Sequence, residues 1–245
     1  MKRIIAVLML LTLVIGLFTG CSQNPQASTE QVIKIGIFEP FTGKNASGGK
    51  QEALGIAYAN SLQPTVTIDG TTYTVELVVA DNESSVEKAP TAATTLVDHG
   101  VSVVLGPHGS DVAMAGSSVF EAAGIPVVGV TCTNPAVTAG NQHFFRICWL
   151  DTFQGSVLAK FAEEHLKAAT VYCLAEQGDN YSAGLCSYFI EGFTALGGTI
   201  VYETYPQEPP ISLPICRQLS GQTLTSSSPL YPSNPQSGSL PRQEN

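Results

Sequence analysis

Residues 101–135 constrain the fold of this chain more than any other stretch. They run VSVVLGPHGSDVAMAGSSVFEAAGIPVVGVTCTNP. A short apolar run at 101–105 ends in Gly106-Pro107-His108-Gly109-Ser110. An amphipathic segment follows to Ala123. A second apolar run at 126–130 ends in Thr131-Cys132-Thr133-Asn134-Pro135. The order is strand, polar turn, helix, strand, polar turn. Two strands joined by one helix lie parallel with a right-handed crossover. In an open α/β sheet, ligands bind beyond the carboxyl ends of such strands. The two polar turns are therefore expected to form half of a small-molecule site.

The same alternation extends in both directions. Strands are expected at 32–39, 143–148, 170–175 and 199–204. Helices are expected at 51–62, at 84–99 with Pro90 either in the first turn or kinking the helix, and at 183–196. Asp69-Gly70 between apolar runs at 66–68 and 73–79 is a hairpin signal. Residues 40–49 are Gly- and Lys-rich and are expected as loop. Asp151 or Thr152 is expected to cap a helix to Leu166, with Phe153, Val157, Leu158, Phe161 and Leu166 on one face. The class is doubly wound α/β. At Pro206 the pattern stops. Eight of the last forty residues are Pro, against seven of the first 205. Residues 206–245 are expected to be disordered, because such a composition cannot offset its ordering entropy.

The N-terminus carries a targeting signal. Lys2-Arg3 precedes an apolar run at 4–18 and then Thr19-Gly20-Cys21. A basic start, a short apolar core and small residues define a secretory signal. Phe18-Thr19-Gly20-Cys21 resembles a bacterial lipobox, which implies lipidation of Cys21 and anchoring in the lipid bilayer. Residues 1–20 are then the signal peptide and 21–31 a polar tether.

Several function classes are excluded. The formal net charge is -9 and no Lys/Arg cluster occurs, so nucleic acid is not an expected partner. The six cysteines form no CxxC pair and no zinc spacing, so neither a metal nor a disulfide framework is expected. Cys148 and Cys173 are expected as small buried hydrophobes. No Walker A motif or Gly-x-Gly-x-x-Gly is present, so no cofactor is expected. His108-Gly109-Ser110-Asp111 lacks the Gly-x-Ser-x-Gly elbow, so the chain is not expected to be an enzyme.

In the two polar turns, Ser110 begins a helix whose free N–H groups suit an anion. Thr131, Cys132 and Thr133 add N–H groups, carbonyls and hydroxyls, a set suited to a carboxylate. The bland alternative is a plain N-cap at Ser110 and a plain turn at Thr133-Asn134-Pro135.

Gly106-Pro107-His108-Gly109-Ser110, Thr133-Asn134-Pro135 and Phe145-Arg146 with Asp151 and Phe153-Gln154-Gly155 together resemble the branched-chain amino-acid type of ABC-transporter substrate-binding protein. So do Ile35-Gly36 followed by Phe41-Thr42-Gly43, and Asn180-Tyr181-Ser182-Ala183-Gly184. The motifs occur in order from residue 32 to 205. The resemblance implies the type I periplasmic-binding-protein fold, with two Rossmann-like lobes hinged around a cleft, here 32–148 and an incomplete second lobe at 149–205. It implies that Ser110, Thr131, Cys132 and Thr133 hold the α-carboxylate of a small amino acid. It implies that Tyr181 covers that ligand, the alternative being a surface loop tyrosine. Trp149 either lines the cleft or packs the hinge. An ABC permease is the implied partner, and the implied place is outside the cytoplasm. Two departures stand out. The loop at 44–49 has no aromatic, and the family continues well beyond Tyr205 to supply an acidic partner for the ligand ammonium. The switch at Pro206 is read as a truncation or frameshift, and weak or no binding by this chain is expected. Two other readings stay open: a ligand sensor on the same fold, and a non-functional fragment.

Overall fold

A computed structural model describes residues 31–207. The signal segment, Cys21, the tether and nearly all of the Pro/Ser-rich tail lie outside the described residues. In chain order the elements are β1 (Val32–Glu39), α1 (Ala46–Leu62), β2 (Thr65–Ile68), β3 (Thr71–Asp81), α2 (Ala89–Asp98), β4 (Val103–Leu105), α3 (Ser110–Ala123), β5 (Val127–Gly129), a 3-10 turn (Pro135–Val137), β6 (Phe144–Arg146), α4 (Asp151–Glu164), β7 (Thr170–Glu176), α5 (Asn180–Ala195) and β8 (Thr199–Tyr205).

Two sheets result. The first has the order β2-β3-β1-β4-β5-β6, and the second pairs β7 with β8. All pairings are parallel except β2 with β3, the hairpin that turns through Asp69 and Gly70, both at positive φ. From β1 the chain steps to β3 on one side and later to β4 on the other. That reversal opens a crevice between the ends of β1 and β4, where α/β sheets take their ligands.

Apolar strand residues drive the packing. Phe38, Leu96, Val104, Phe120, Val127 and Phe144 close one face of the first sheet under α2 and α3. Phe38 and Phe120 meet edge to face at 5.4 Å. Fully burying such a side chain stabilises by about 1.5–3 kcal/mol. The other face is covered by α1, which leaves an apolar groove of about 610 Å³ against Ile35, Leu77, Leu105 and Val128.

Four local expectations need correction. Helix α1 begins at Ala46 rather than 51, so Gly48 and Gly49 lie inside it. They are packing positions: a Cβ at Gly48 would strike the His108 ring, and one at Gly49 would strike Pro40. Helix α2 begins at Ala89 rather than 84, which puts Pro90 in its first turn, where its missing N–H costs nothing. Asp151 does not cap α4. Leu150 holds the cap position without a side-chain bond, and the Asp151 N–H donates to the Thr133 carbonyl at 3.1 Å.

The fourth concerns the face of α4. Its large apolar residues, Phe153, Val157, Leu158 and Phe161, are exposed, while Gly155, Ala159 and Ala162 are buried. Helix α5 packs on this small-residue face, with Phe193 fully buried against Ala159 and Ala162. Close approach of two helices requires small side chains at the crossing. The large face would need a further layer, which the described residues do not supply.

Candidate functional site

The site grows from loops pinned to the switch point. Asp81, at the end of β3, accepts N–H bonds from Phe41 at 2.8 Å and Glu83 at 2.8 Å, and the Thr42 hydroxyl at 2.8 Å. Partial burial would raise its carboxyl, but these bonds outweigh it and hold the group below the usual range. The Ser84 hydroxyl takes the Asn45 N–H at 3.0 Å. The Phe41-Thr42-Gly43 motif is thereby fixed, and Lys44 and Asn45 are set at the mouth of the crevice.

After β4, Gly106 has φ 110. A Cβ there would collide with the Phe38 carbonyl and the Glu39 carboxyl, so only glycine brings the chain this close to β1. Gly109 stands at the N-cap of α3 without a side-chain bond. The first N–H groups of the helix are left free for a ligand. Ser110 is only 2% exposed, and its hydroxyl oxygen accepts the Asn134 N–H at 3.2 Å.

The turn after β5 is held by Arg146. Its Nη1 donates to the carbonyls of Cys132 at 3.0 Å and Asn134 at 2.8 Å. Its Nη2 donates to the carbonyl of Pro135 at 3.3 Å and to the Thr138 hydroxyl at 2.6 Å. This planar fork is why Arg stands in the Phe145-Arg146 motif. The turn shows its three predicted residues differently. The Thr133 hydroxyl is buried without a well-formed hydrogen bond and lines the cleft. Asp151, fully buried beside it, also leaves Oδ2 unpartnered. Burial raises the Asp151 carboxyl, and the nearby Thr133 hydroxyl offsets that only in part. The Thr131 hydroxyl gives its proton to Glu52 Oε1. The Cys132 side chain is fully buried against Gly129, so it faces the core and not the cleft.

The opposite wall comes from the start of α5 and the ends of β7 and β8. Tyr181, Asp179, Glu176 and Tyr205 face Ser110, Thr131 and Thr133 across a cavity of about 600 Å³. Asp179 caps α5, its carboxylate accepting the Ser182 N–H at 2.8 Å. Three direct links span the walls. Lys44 donates to Glu176 at 2.7 Å. Asp111 accepts the Asn180 side-chain amide at 2.6 Å and its backbone N–H at 3.2 Å. Asn134 Nδ2 donates to the Asn180 carbonyl at 2.8 Å. Trp149 takes no part in the cleft lining; it is 71% exposed and stacks on Phe153 at 5.0 Å.

One cluster escaped sequence reasoning. Glu39, at the end of β1, is fully buried and accepts the His108 N–H at 2.7 Å. Glu52, from α1, meets His108 Nδ1 at 2.6 Å. Burial first, and then the charge of Glu52, push the Glu39 carboxyl up to about 9. Burial alone would also raise Glu52, but hydrogen bonds from His108, Thr131 and Glu39 bring it below its ordinary range. The pair therefore shares one proton at neutral pH. Glu39 falls in a strand run and Glu52 on a helix farther along the chain, so no spacing rule links them. Among the described residues no group of three His, Cys, Asp or Glu side chains is placed to hold a metal.

A family model for periplasmic binding proteins matches residues 32–213. The chain belongs to the periplasmic binding protein family.

Individual relatives of this binding protein agree. A Leu/Ile/Val-binding protein, BraC3 of Rhizobium johnstonii, is 32% identical over 69% of the chain and 46% of its own length. The leucine binding protein LivK of Thermotoga maritima is 32% identical with TM-score 0.70, over 77% of this chain and 53% of that one. The branched-chain amino acid transporter substrate binding protein LivJ of Streptococcus pneumoniae, solved with isoleucine, is 27% identical with TM-score 0.69, over 78% and 55%. These are binding proteins, not enzymes. The fold is the type I periplasmic-binding-protein fold, its first lobe built on the six-stranded sheet and its second represented by β7, β8, α4 and α5. The chain spans about half the length of the relatives it matches.

Proposed function

We propose that this binding protein captures a branched-chain or related amino acid outside the cytoplasm and delivers it to an ABC permease, tethered to the membrane through Cys21. The single observation that carries the reading is the pair of hydroxyls on the cleft floor. Thr133 Oγ1 is buried beside the Asp151 carboxyl without a well-formed hydrogen bond, and Ser110 stands at the open N-terminus of α3. A buried hydroxyl without a partner costs about 1–3 kcal/mol, a cost that a ligand carboxylate would offset. The helix N-terminus favours that same negative charge. Thr131 and Cys132 contribute to this turn through their backbone. Tyr181 covers the ligand from the other lobe. Asp179 and Glu176 give its ammonium an acidic surrounding. The named relatives support the ligand class, since they are leucine-, isoleucine- and valine-binding proteins by name.

The test is saturation-transfer NMR with L-leucine, L-isoleucine and L-valine, which registers weak binding. Ser110→Ala with Thr133→Ala is expected to lower affinity about 10–100-fold, the loss of two hydrogen bonds to a charged group. Undiminished binding in the double variant would refute the site.

A further inference from the structure

We infer that Cys132 and Cys148 form a redox-active dithiol that closes to a disulfide, fastening the turn Thr131–Asn134 to the strand leading into the second lobe. The placement comes from the backbone. Arg146 pairs in register with Gly129 and holds the Cys132 carbonyl at 3.0 Å. The next residue, Ile147, donates its N–H to the Gly129 carbonyl at 3.1 Å. The Cys132 sulfur lies over the bare Cα of Gly129, in space that any Cβ would fill. Cys148 follows Ile147 directly, so the strand that bonds Gly129 and holds the Cys132 carbonyl carries the second thiol to the same corner, and each thiol acts on the acidity of the other. Both thiols are free in this structure, Cys132 buried and Cys148 half-buried.

The two sulfurs differ in a way that suits exchange chemistry. The neighbouring Cys132 thiol first, and the Arg146 guanidinium as well, bring Cys148 down to about 7. Cys148 and burial push Cys132 well up. The accessible sulfur is thus the attacking thiolate and the buried one the resolving thiol. With a small disulfide donor, the Cys148 thiolate attacks one donor sulfur. The donor S–S bond breaks, one donor thiolate leaves, and a mixed disulfide forms on Cys148. Cys132 then loses its proton, attacks Cys148 Sγ and expels the second donor thiolate. Two protein thiols are oxidised and one donor disulfide is reduced to two thiols. An extracytoplasmic chain meets such donors. The second thiol pair is different: burial raises both Cys173, to about 11, and Cys186, and no cation lowers either.

The consequence is local order. The turn that carries Thr131 and Thr133 is at present held on that side by hydrogen bonds, from Arg146 to the Cys132 and Asn134 carbonyls and from the Asp151 N–H to the Thr133 carbonyl. A covalent link through Cys132 fixes it to the same strand.

The full chain, purified in reductant and transferred to oxidised glutathione, is blocked with an alkylating agent and mapped by peptide mass spectrometry. The expected product is a Cys132–Cys148 linked peptide that reductant releases. In Cys132→Ala the expected product is a stable glutathione adduct on Cys148. The alkylation rate of Cys148 is expected to follow a midpoint of about 7 in the native chain and to move toward the ordinary thiol value in Cys132→Ala. Recovery of both residues as free thiols after exchange in the folded chain would overturn the inference, as would an unmoved midpoint. None of these readouts depends on ligand binding, so a failure of the amino-acid reading is seen separately.

Discussion

Single side chains set the character of the cleft, and Glu39 is the most constrained of them. Its carboxyl is buried, faces Glu52, and holds its proton up to about pH 9. Folded, it binds a proton that the unfolded chain gives up near its ordinary value. It therefore contributes stability that is fully present below about pH 4.5 and is lost as pH rises toward about 9. Glu39→Gln keeps the shape and an acceptor for the His108 N–H and removes the titration. Urea denaturation at about pH 5 and about pH 8.5 is expected to show native stability falling across the interval and the variant nearly flat. Equal slopes would show that Glu39 is ionised in the fold. The same cluster reaches the site, because Glu52 holds the Thr131 hydroxyl. Of the predicted residues, Ser110, Thr131, Thr133 and Tyr181 come together on one cavity, whereas the Cys132 side chain turns inward.

At the scale of elements, the contact of α4 with α5 decides how the second lobe is built. Gly155 lies in the middle of α4, where Ala is intrinsically better by about 1 kcal/mol. A Cβ there would come within 2.7 Å of the α5 backbone, at the N of Phe189. Backbone cannot yield as a side-chain tip can, and overpacking costs about 1–3 kcal/mol, so the clash wins. Gly155→Ala is expected to lower Tm by a few degrees, at about 2–4 °C per kcal/mol. Gly55 in α1 is the control, since nothing lies within 4 Å of its Cβ position. Gly55→Ala is expected to raise Tm. Opposite signs in thermal unfolding would bear out the packing argument, and matching signs would count against it. The exposed Phe153, Val157 and Phe161 show the converse lesson: apolar spacing marks a face, but the partner helix chose the other one.

At the scale of the whole molecule, the described lobes are joined by polar links across the cleft. The Lys44–Glu176 pair is partly exposed, with side-chain exposures of 41% and 16%, and such pairs contribute at most about 1 kcal/mol. The Asp111 bonds to Asn180 carry a charge on one side only and count for more. Asp111→Ala is expected to loosen the lobes and enlarge the radius of gyration in small-angle scattering, while Lys44→Ala changes it less. An identical scattering curve for Asp111→Ala would show that other contacts hold the cleft shut.

How much of this was legible in the chain follows from the range of each interaction. Period, turn residues and glycine or proline punctuation act over a few residues. They determined the alternation of strands and helices, the Asp69-Gly70 hairpin and the two polar turns at 106–110 and 131–135. The strand-end rule then placed Ser110 and Thr133 on one cleft. Only tertiary packing decided that Gly48 and Gly49 belong to a helix, because the reason is a crossing with Pro40 and His108. Only packing brought Glu39 to Glu52, Cys132 to Cys148 and Asp111 to Asn180. Those pairs are far apart in sequence, and their energies arise from burial and contact that no local pattern encodes.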